Sequence, residues 1–204
     1  AGCPSARYRH WRRFTKYGCI NERRNQLHEV IRLSGMNIII NDADHPLIIK
    51  VASIQAARMQ VYFIDNEDYF QRKSLFQDEQ GNYYEDNDER AIFFARGVIE
   101  TVKKLQWPPD IIHCHGWFAG LLSVYVKKVY DDDPAFRNAK IVWSAYNNEF
   151  SKTLDKSFKK KLAADGINGN ELKSLDNPDY LNYCKLLINS SDGVIICSPE
   201  INHG

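Results

Sequence analysis

No apolar run in the 204 residues approaches the roughly 18 that a membrane-spanning helix needs. No sign of charge dominates either. Lys and Arg total 27 against 26 Asp and Glu, so there is no global field to draw in nucleic acid or a membrane surface. The basic start is not followed by an apolar segment of about 7–15 residues, which argues against a secretory leader. There is no C-x-x-C pair. The five cysteines (Cys3, Cys19, Cys114, Cys184, Cys197) are odd in number and scattered, as expected of reduced thiols in cytoplasm. The phosphate loop G-x-x-x-x-G-K-[ST], the dinucleotide fingerprint G-x-G-x-x-G, H-E-x-x-H and G-x-S-x-G are all lacking. So are internal repeats, low-complexity tracts and the interleaved aromatic and basic residues of a nucleic-acid groove.

What is there fits a globular α/β domain. Hydrophobic residues make up 44% and aromatics 12%, enough to build one core. The first 16 residues hold Arg7, Arg9, Arg12, Arg13 and Lys16 with no acid. Such a head is a nucleic-acid arm or a gene-boundary remnant. We take the second, and divide the chain into an atypical head at 1–15 and a domain at 16–204.

Short β-branched or aromatic runs at 38–40, 47–51 and 61–64 read as strands, with turns at 41–44 and 55–58. Such short connections predict antiparallel pairing. The polar stretch 65–88 reads as a long surface loop. Asp86 and Glu89 then have capping-box spacing. Ala91, Phe94, Ala95, Val98, Val102 and Leu105 repeat at helical intervals, Lys103 and Lys104 suit the helix end, and Trp107-Pro108-Pro109 stops it. From there the chain alternates: strand 110–114, helix 117–130, strand 140–144, helices at 158–164 and about 179–189, and a third buried strand at 193–197. A strand, crossover helix and strand of this length form a right-handed parallel unit. The fold class is α/β: a doubly wound, mostly parallel sheet with an antiparallel addition. Cys114 and Cys197, in apolar runs, behave as small hydrophobes.

In such sheets ligands bind beyond the carboxyl ends of the strands. That rule selects three places. In His113-Cys114-His115-Gly116-Trp117, the histidines face one side and Cys114 the other. Two histidines and a cysteine invite zinc, but zinc needs about four ligands, or three plus water, and no second cluster is visible, so no metal is expected. His113 is expected in the core. His115 falls at the strand end, beside a helix N-terminus, and is expected to contact ligand. Gly116 permits close backbone approach, and Trp117 suits stacking on a sugar. Past the next strand, the Tyr146 hydroxyl and Asn147 amide suit sugar hydroxyls; the plain alternative is loop capping. Glu149 has no visible partner and receives no role. At Ser198-Pro199-Glu200, Ser as N-cap with Pro at the first helical position explains the sequence structurally.

At these edges the chain resembles bacterial glycogen and starch synthases. The run Asp110-Ile111-Ile112-His113-Cys114-His115-Gly116-Trp117 is similar to their strand and H-x-H-D-W signature. Val61 to Asn66 followed by Tyr69-Phe70 is similar to V-Y-x-I-D-x…Y-F. Asp86-Asn87-Asp88-Glu89-Arg90 with Phe93-Phe94 is similar to D-N-x-x-R-F-x-F-F, and Ser191 through Pro199 to A-D-x-V…V-S-P. The motifs run in order from about Lys16 to Asn202.

The resemblance implies a Rossmann-like N-terminal half of a GT-B fold. It implies glucosyl transfer from ADP-glucose (or UDP-glucose) to the non-reducing end of an α-1,4-glucan, retaining configuration, with no cofactor and no metal. The implied partners are a nucleotide-sugar donor and an α-glucan acceptor, without nucleic acid or membrane. The implied binding residues are His115, Gly116, Trp117, Tyr146 and Asn147. Two of these depart from the family: Gly116 stands where the motif has Asp, and Tyr146 where it has His. The family's opening strand, its K-x-G-G loop and its second domain have no counterpart, so these 204 residues are expected to be an incomplete catalytic unit, inactive alone. The two substitutions motivate an alternative, a non-catalytic glucan-binding or regulatory relative.

Overall fold

The structure, a computed structural model, describes residues 11–15, 18, 20–147 and 149–197. The chain divides into two compact units, 1–37 with 46–75 and 38–45 with 76–204.

One sheet holds strands β1 (Trp11–Thr15), β2 (His28–Glu29), β4 (Ala43–Ile54) and β5 (Met59–Asp65), in the order β1-β5-β4-β2, with β3 (Met36–Ile40) paired to β4. β4 and β5 pair antiparallel from Ile48↔Asp65 to Ile54↔Met59, as their short connection predicts. That connection is a 3-10 turn, Gln55–Ala57, closed by Arg58 in the left-handed region. The last five residues of the basic head form β1, parallel to β5; residues 1–10 lie outside the described residues. Leu47, Ile49, Val61, Ile64 and Phe70 make the apolar interior.

The stretch read as a surface loop is not wholly at the surface. Asn66 caps the short helix α1 (Glu67–Phe70), its side chain accepting from the Asp68 and Tyr69 amides while its Nδ2 donates to the Pro46 carbonyl. Tyr69 and Phe70 are buried beneath it. A cap anchored at both ends makes a polar sequence into a fixed corner.

The second unit holds α2 (Asn87–Leu105), then β6 (Ile111–His115), α3 (Gly116–Lys128), β7 (Lys140–Ala145), α4 (Phe158–Ala164), α5 (Tyr180–Asn189) and β8 (Gly193–Ile196). The strands run parallel in the order β6-β7-β8, with His115↔Ser144 and Ser144↔Ile195 in register. This all-parallel sheet is separate from the mixed, five-stranded one.

Asp86 sits at the N-cap of α2 but makes no side-chain cap hydrogen bond, so the capping-box expectation fails in its mechanism. Asn87 does the anchoring instead: its Nδ2 donates to the Phe76 carbonyl, and its Oδ1 accepts from Arg90 Nη1 at 2.6 Å. Arg90 is fully buried, over the rings of Tyr84 and Phe118. The expected apolar face of α2 is buried from Ala91 to Val102, whereas Leu105 is half-buried.

Two further expectations are corrected. β8 was expected to be buried, yet Val194, Ile195 and Ile196 are 41–49% exposed. Among the described residues β8 has a neighbour on one side only, and Cys197 beyond it is exposed as well. His113 was expected in the core and is exposed. Cys114 and its register partner Trp143 are buried on the opposite face, beside α3, whereas the His113 and His115 side chains stay open.

Candidate functional site

Parallel strands bring their carboxyl ends to one edge, and here that edge gathers the end of β6 and the end of β7. Alternation along β6 puts His113 and His115 on the same face, with ring centroids 4.1 Å apart and planes tilted by 36°. Each imidazole meets a hydroxyl from the neighbouring strand end. His113 Nε2 lies 2.7 Å from Ser144 Oγ, and His115 Nδ1 lies 2.7 Å from the Tyr146 hydroxyl. Tyr146 and His115 are also stacked, 6.1 Å between centroids. Ser144 is buried, whereas Tyr146, Asn147 and both histidines are exposed, so the pairs stand on a fixed floor and face solvent.

The Tyr146 hydroxyl is pushed above its usual pKa by burial and by Cys197, with Ser144 acting in the opposite direction. It therefore keeps its proton at neutral pH and acts as a hydrogen-bond donor or acceptor, not as a phenolate. Its backbone carbonyl accepts from the Tyr180 hydroxyl at 3.4 Å. This ties the loop after β7 to α5.

Gly116 opens α3 with φ at 71°, a conformation that costs a side-chain-bearing residue energy. Its carbonyl accepts from Trp143 Nε1 at 3.0 Å. The strand-to-helix corner is thus set by a left-handed glycine latched to the next strand.

Trp117 lies in the interior and not at the open edge. It is 1% exposed, wedged among Phe76 at 4.8 Å, Phe150 at 5.1 Å, Phe118 at 5.4 Å and Tyr183 at 6.3 Å. The Tyr183 hydroxyl donates to the Trp117 carbonyl at 3.1 Å. A residue at the start of α3 points into the helix-covered side, so an indole there joins the core and positions the corner that carries His115. A cavity of about 310 Å³ adjoins this cluster, lined by Asn82, Tyr83, Tyr84, Lys152 and Thr153 among others.

Of the residues singled out in sequence, the structure brings His115, Gly116, Tyr146 and Asn147 to one edge and withdraws Trp117 beneath it. Ser144 opens the second segment selected by the strand-end rule, 144–149, but received no role of its own from the sequence. It is an ordinary strand residue by pattern, and only the register of β6 against β7 places it under His113. The exposed Glu149 offers its carbonyl to the Tyr83 hydroxyl at 3.0 Å. The Ser198-Pro199-Glu200 segment lies outside the described residues. Among the described residues no group of three or more His, Cys, Asp or Glu side chains is arranged to hold a metal.

The model for the starch synthase catalytic domain matches residues 14–203. The chain belongs to the starch synthase catalytic-domain family. The glycogen synthase of Chlorobium limicola is 38% identical over 167 residues, covering 81% of this chain and 34% of that protein. The glycogen synthase of Chlorobaculum tepidum is 35% identical over 202 residues, covering 93% and 40%. The chain therefore spans only part of the length of the curated relatives it matches. The catalytic domain of starch synthase IV from Arabidopsis thaliana, bound to ADP and acarbose, superposes with a TM-score of 0.68 over 89% of this chain and 36% of that one, at 20% identity. That likeness gives the fold: the Rossmann-like α/β half of a GT-B fold. The starch-synthase motifs have structural work here. Asp65 pairs with Lys50 at 2.9 Å, and Asp192 accepts from the Ile141 amide at 2.8 Å and pairs with Lys127 at 2.9 Å.

Proposed function

We propose that the whole protein is a glycogen/starch synthase, a retaining glycosyltransferase that moves glucose from ADP-glucose to the non-reducing end of an α-1,4-glucan. The observation that carries this reading is the family match across nearly the whole chain, joined to a strand-end edge where His115 and Tyr146 are paired at 2.7 Å. The bound ADP and acarbose of the starch synthase IV structure support a nucleotide-sugar donor and a glucan acceptor for this chain.

In this reading His115, Gly116, Tyr146 and Asn147 line the sugar-binding edge, and Trp117 shapes it from below. The imidazole, phenol and amide supply the mixture of donors and acceptors that sugar hydroxyls need. Residues 16–204 form a partial N-terminal catalytic domain, and the second GT-B domain supplies the rest. Retaining transfer requires charge stabilisation of the departing diphosphate. Among the described residues this edge holds two imidazoles and two hydroxyls but no lysine or arginine, and the 204 residues alone are expected to be inactive. No cofactor or metal enters the reaction we propose. The near-neutral charge supports a protein without nucleic-acid or membrane partners, and the free thiols of Cys114, Cys184 and Cys197 support a cytoplasmic location. No helix among the described residues is long and apolar enough to cross a membrane.

The test is incorporation of labelled glucose from ADP-glucose into glycogen, comparing the 204-residue chain with the gene product extended through a second GT-B domain. Transfer by the extended protein alone is the expected result. No transfer by either, with glycogen still bound, would replace the synthase by a non-catalytic glucan-binding relative.

A further inference from the structure

We infer that the cavity beside the Trp117 cluster is a second sugar site, which holds the α-glucan acceptor at a residue beyond the one that reacts. The inference rests on the glucosyl-transfer reading and adds where the acceptor chain is held.

The cavity, of about 310 Å³, lies between two lips of the chain, 82–87 and 150–154. Its size is at the small end of ligand pockets, about 300–1,000 Å³, and suits about one or two hexose rings. The first lip is built locally. The Asp78 carboxylate accepts from the Asn82 amide at 2.8 Å and from Asn82 Nδ2 at 3.0 Å, and Tyr83 bridges back to Gln77. The Tyr83 hydroxyl then donates to the Glu149 carbonyl at 3.0 Å, tying the first lip to the start of the second across 66 residues of sequence. At the far end of the second lip the Leu154 amide donates to the Pro178 carbonyl at 3.0 Å. Both lips are therefore fixed before a ligand arrives, which lowers the entropy cost of binding.

The lining divides into floor and mouth. Trp117, Phe150 and Leu154 are buried and give an apolar floor. Glu85, Lys152 and Thr153 are exposed at the mouth. None of these three side chains makes a hydrogen bond or ion pair to another described residue. They differ in kind: Lys152 only donates, the Glu85 carboxylate only accepts, and Thr153 does both. A sugar hydroxyl donates and accepts, so it can partner each of them. Phosphate oxygens only accept, and here they would meet a carboxylate beside a single cation. The mouth thus selects a neutral polyhydroxyl ligand over the nucleotide-sugar donor. Place selects which part of the acceptor it is. Trp117 follows Gly116 of the strand-end edge, and the chain from Tyr146 to Phe150 runs from that edge to the second lip. A glucan whose end lies against His115 and Tyr146 reaches the cavity with a later residue.

The test uses the whole protein, with maltose and maltohexaose as acceptors in kinetics and as titrants in calorimetry. Thr153→Trp fills the mouth and Lys152→Ala removes its cation; both positions are exposed, and circular dichroism checks the fold. Thr153→Trp is expected to raise KM for maltohexaose about ten-fold relative to KM for maltose, and Lys152→Ala about three-fold. Maltohexaose binding is expected to weaken in the same proportion. Wild-type acceptor values in both variants would overturn the inference and leave the synthase reading standing. So would an equal rise for the two acceptors, which would put the cavity at the reacting sugar. Weaker binding of ADP-glucose alone would overturn the choice of ligand. Loss of maltohexaose binding in the variants of a protein that transfers no glucose would support the cavity and overturn the synthase reading instead.

Discussion

Lys161 Nζ lies 2.8 Å from both Asp88 Oδ2 and Glu89 Oε1, with the lysine side chain 8% exposed and that of Asp88 wholly buried. The pair fastens α4 to the first turn of α2. Removing one member of a buried ion pair strands the other, so Lys161→Met is expected to cost about 3–5 kcal/mol. Urea unfolding followed by circular dichroism measures it; an unchanged midpoint would show that the pair holds nothing.

The same pair sets a pH dependence. Burial raises the Asp88 carboxyl above its usual value, and Lys161 only partly offsets this. At Lys161 burial acts downward, but hydrogen bonds to Asp88 and Glu89 outweigh it, and its pKa rises above 10.5. The lysine's contribution is therefore fully present below pH 10.5 and lost as pH rises through its folded value. The raised carboxyl acts in the same sense, since the folded state holds its proton more tightly than the unfolded chain. In Lys161→Met the carboxyl has lost its cation, so the stability deficit is expected to shrink as pH falls toward 4 (roughly the unfolded carboxyl value). Unfolding midpoints of both proteins between about pH 4 and 8 check this.

Trp117→Ala tests the indole's place in the core. An exposed sugar platform would lose binding and little stability. A buried indole among four aromatic rings is expected to cost about 3–5 kcal/mol on truncation. Thermal or denaturant unfolding distinguishes the two.

Gly120 has no room for a methyl group. An added Cβ would overlap Leu187 Cδ1 and stand 3.0 Å from Trp143 Nε1. The leucine tip can swing away, but the indole is latched to the Gly116 carbonyl. Gly120→Ala is expected to destabilise by about 1–3 kcal/mol, the cost of overpacking, despite alanine's better helix propensity. A stabilised variant would show that α3 and α5 move apart freely.

Thiol reactivity separates two cysteines that looked alike in sequence. Burial pushes Cys114 up to about 12, so it stays protonated and shielded; Cys197 is exposed. Brief treatment with a thiol-alkylating reagent at about pH 8, read by peptide mass spectrometry, is expected to label Cys197 and leave Cys114 until the protein unfolds. Early labelling of Cys114 would contradict its place in the core.

The sequence by itself determined the elements that depend on local periodicity and stop signals. The apolar spacing from Ala91 to Val102 predicted α2, the run 140–144 predicted β7, and Asp179 predicted the start of α5, where its side chain accepts from the Asn182 amide at 2.8 Å. Ordered motifs carried the family and the edge where His115 and Tyr146 meet. Tertiary structure alone decided which face of each strand is covered. Alternation says that His113 and Cys114 point opposite ways, but not which side receives α3, so His113 is open and Cys114 buried. The same holds for Trp117, whose apolar ring suits a sugar or a core equally well until neighbouring rings close over it. It holds for β8, where an apolar strand is exposed for want of a second neighbour among the described residues. Ser144 became visible only through strand register, because a hydrogen bond between residues 31 apart in sequence depends on alignment that no local pattern encodes.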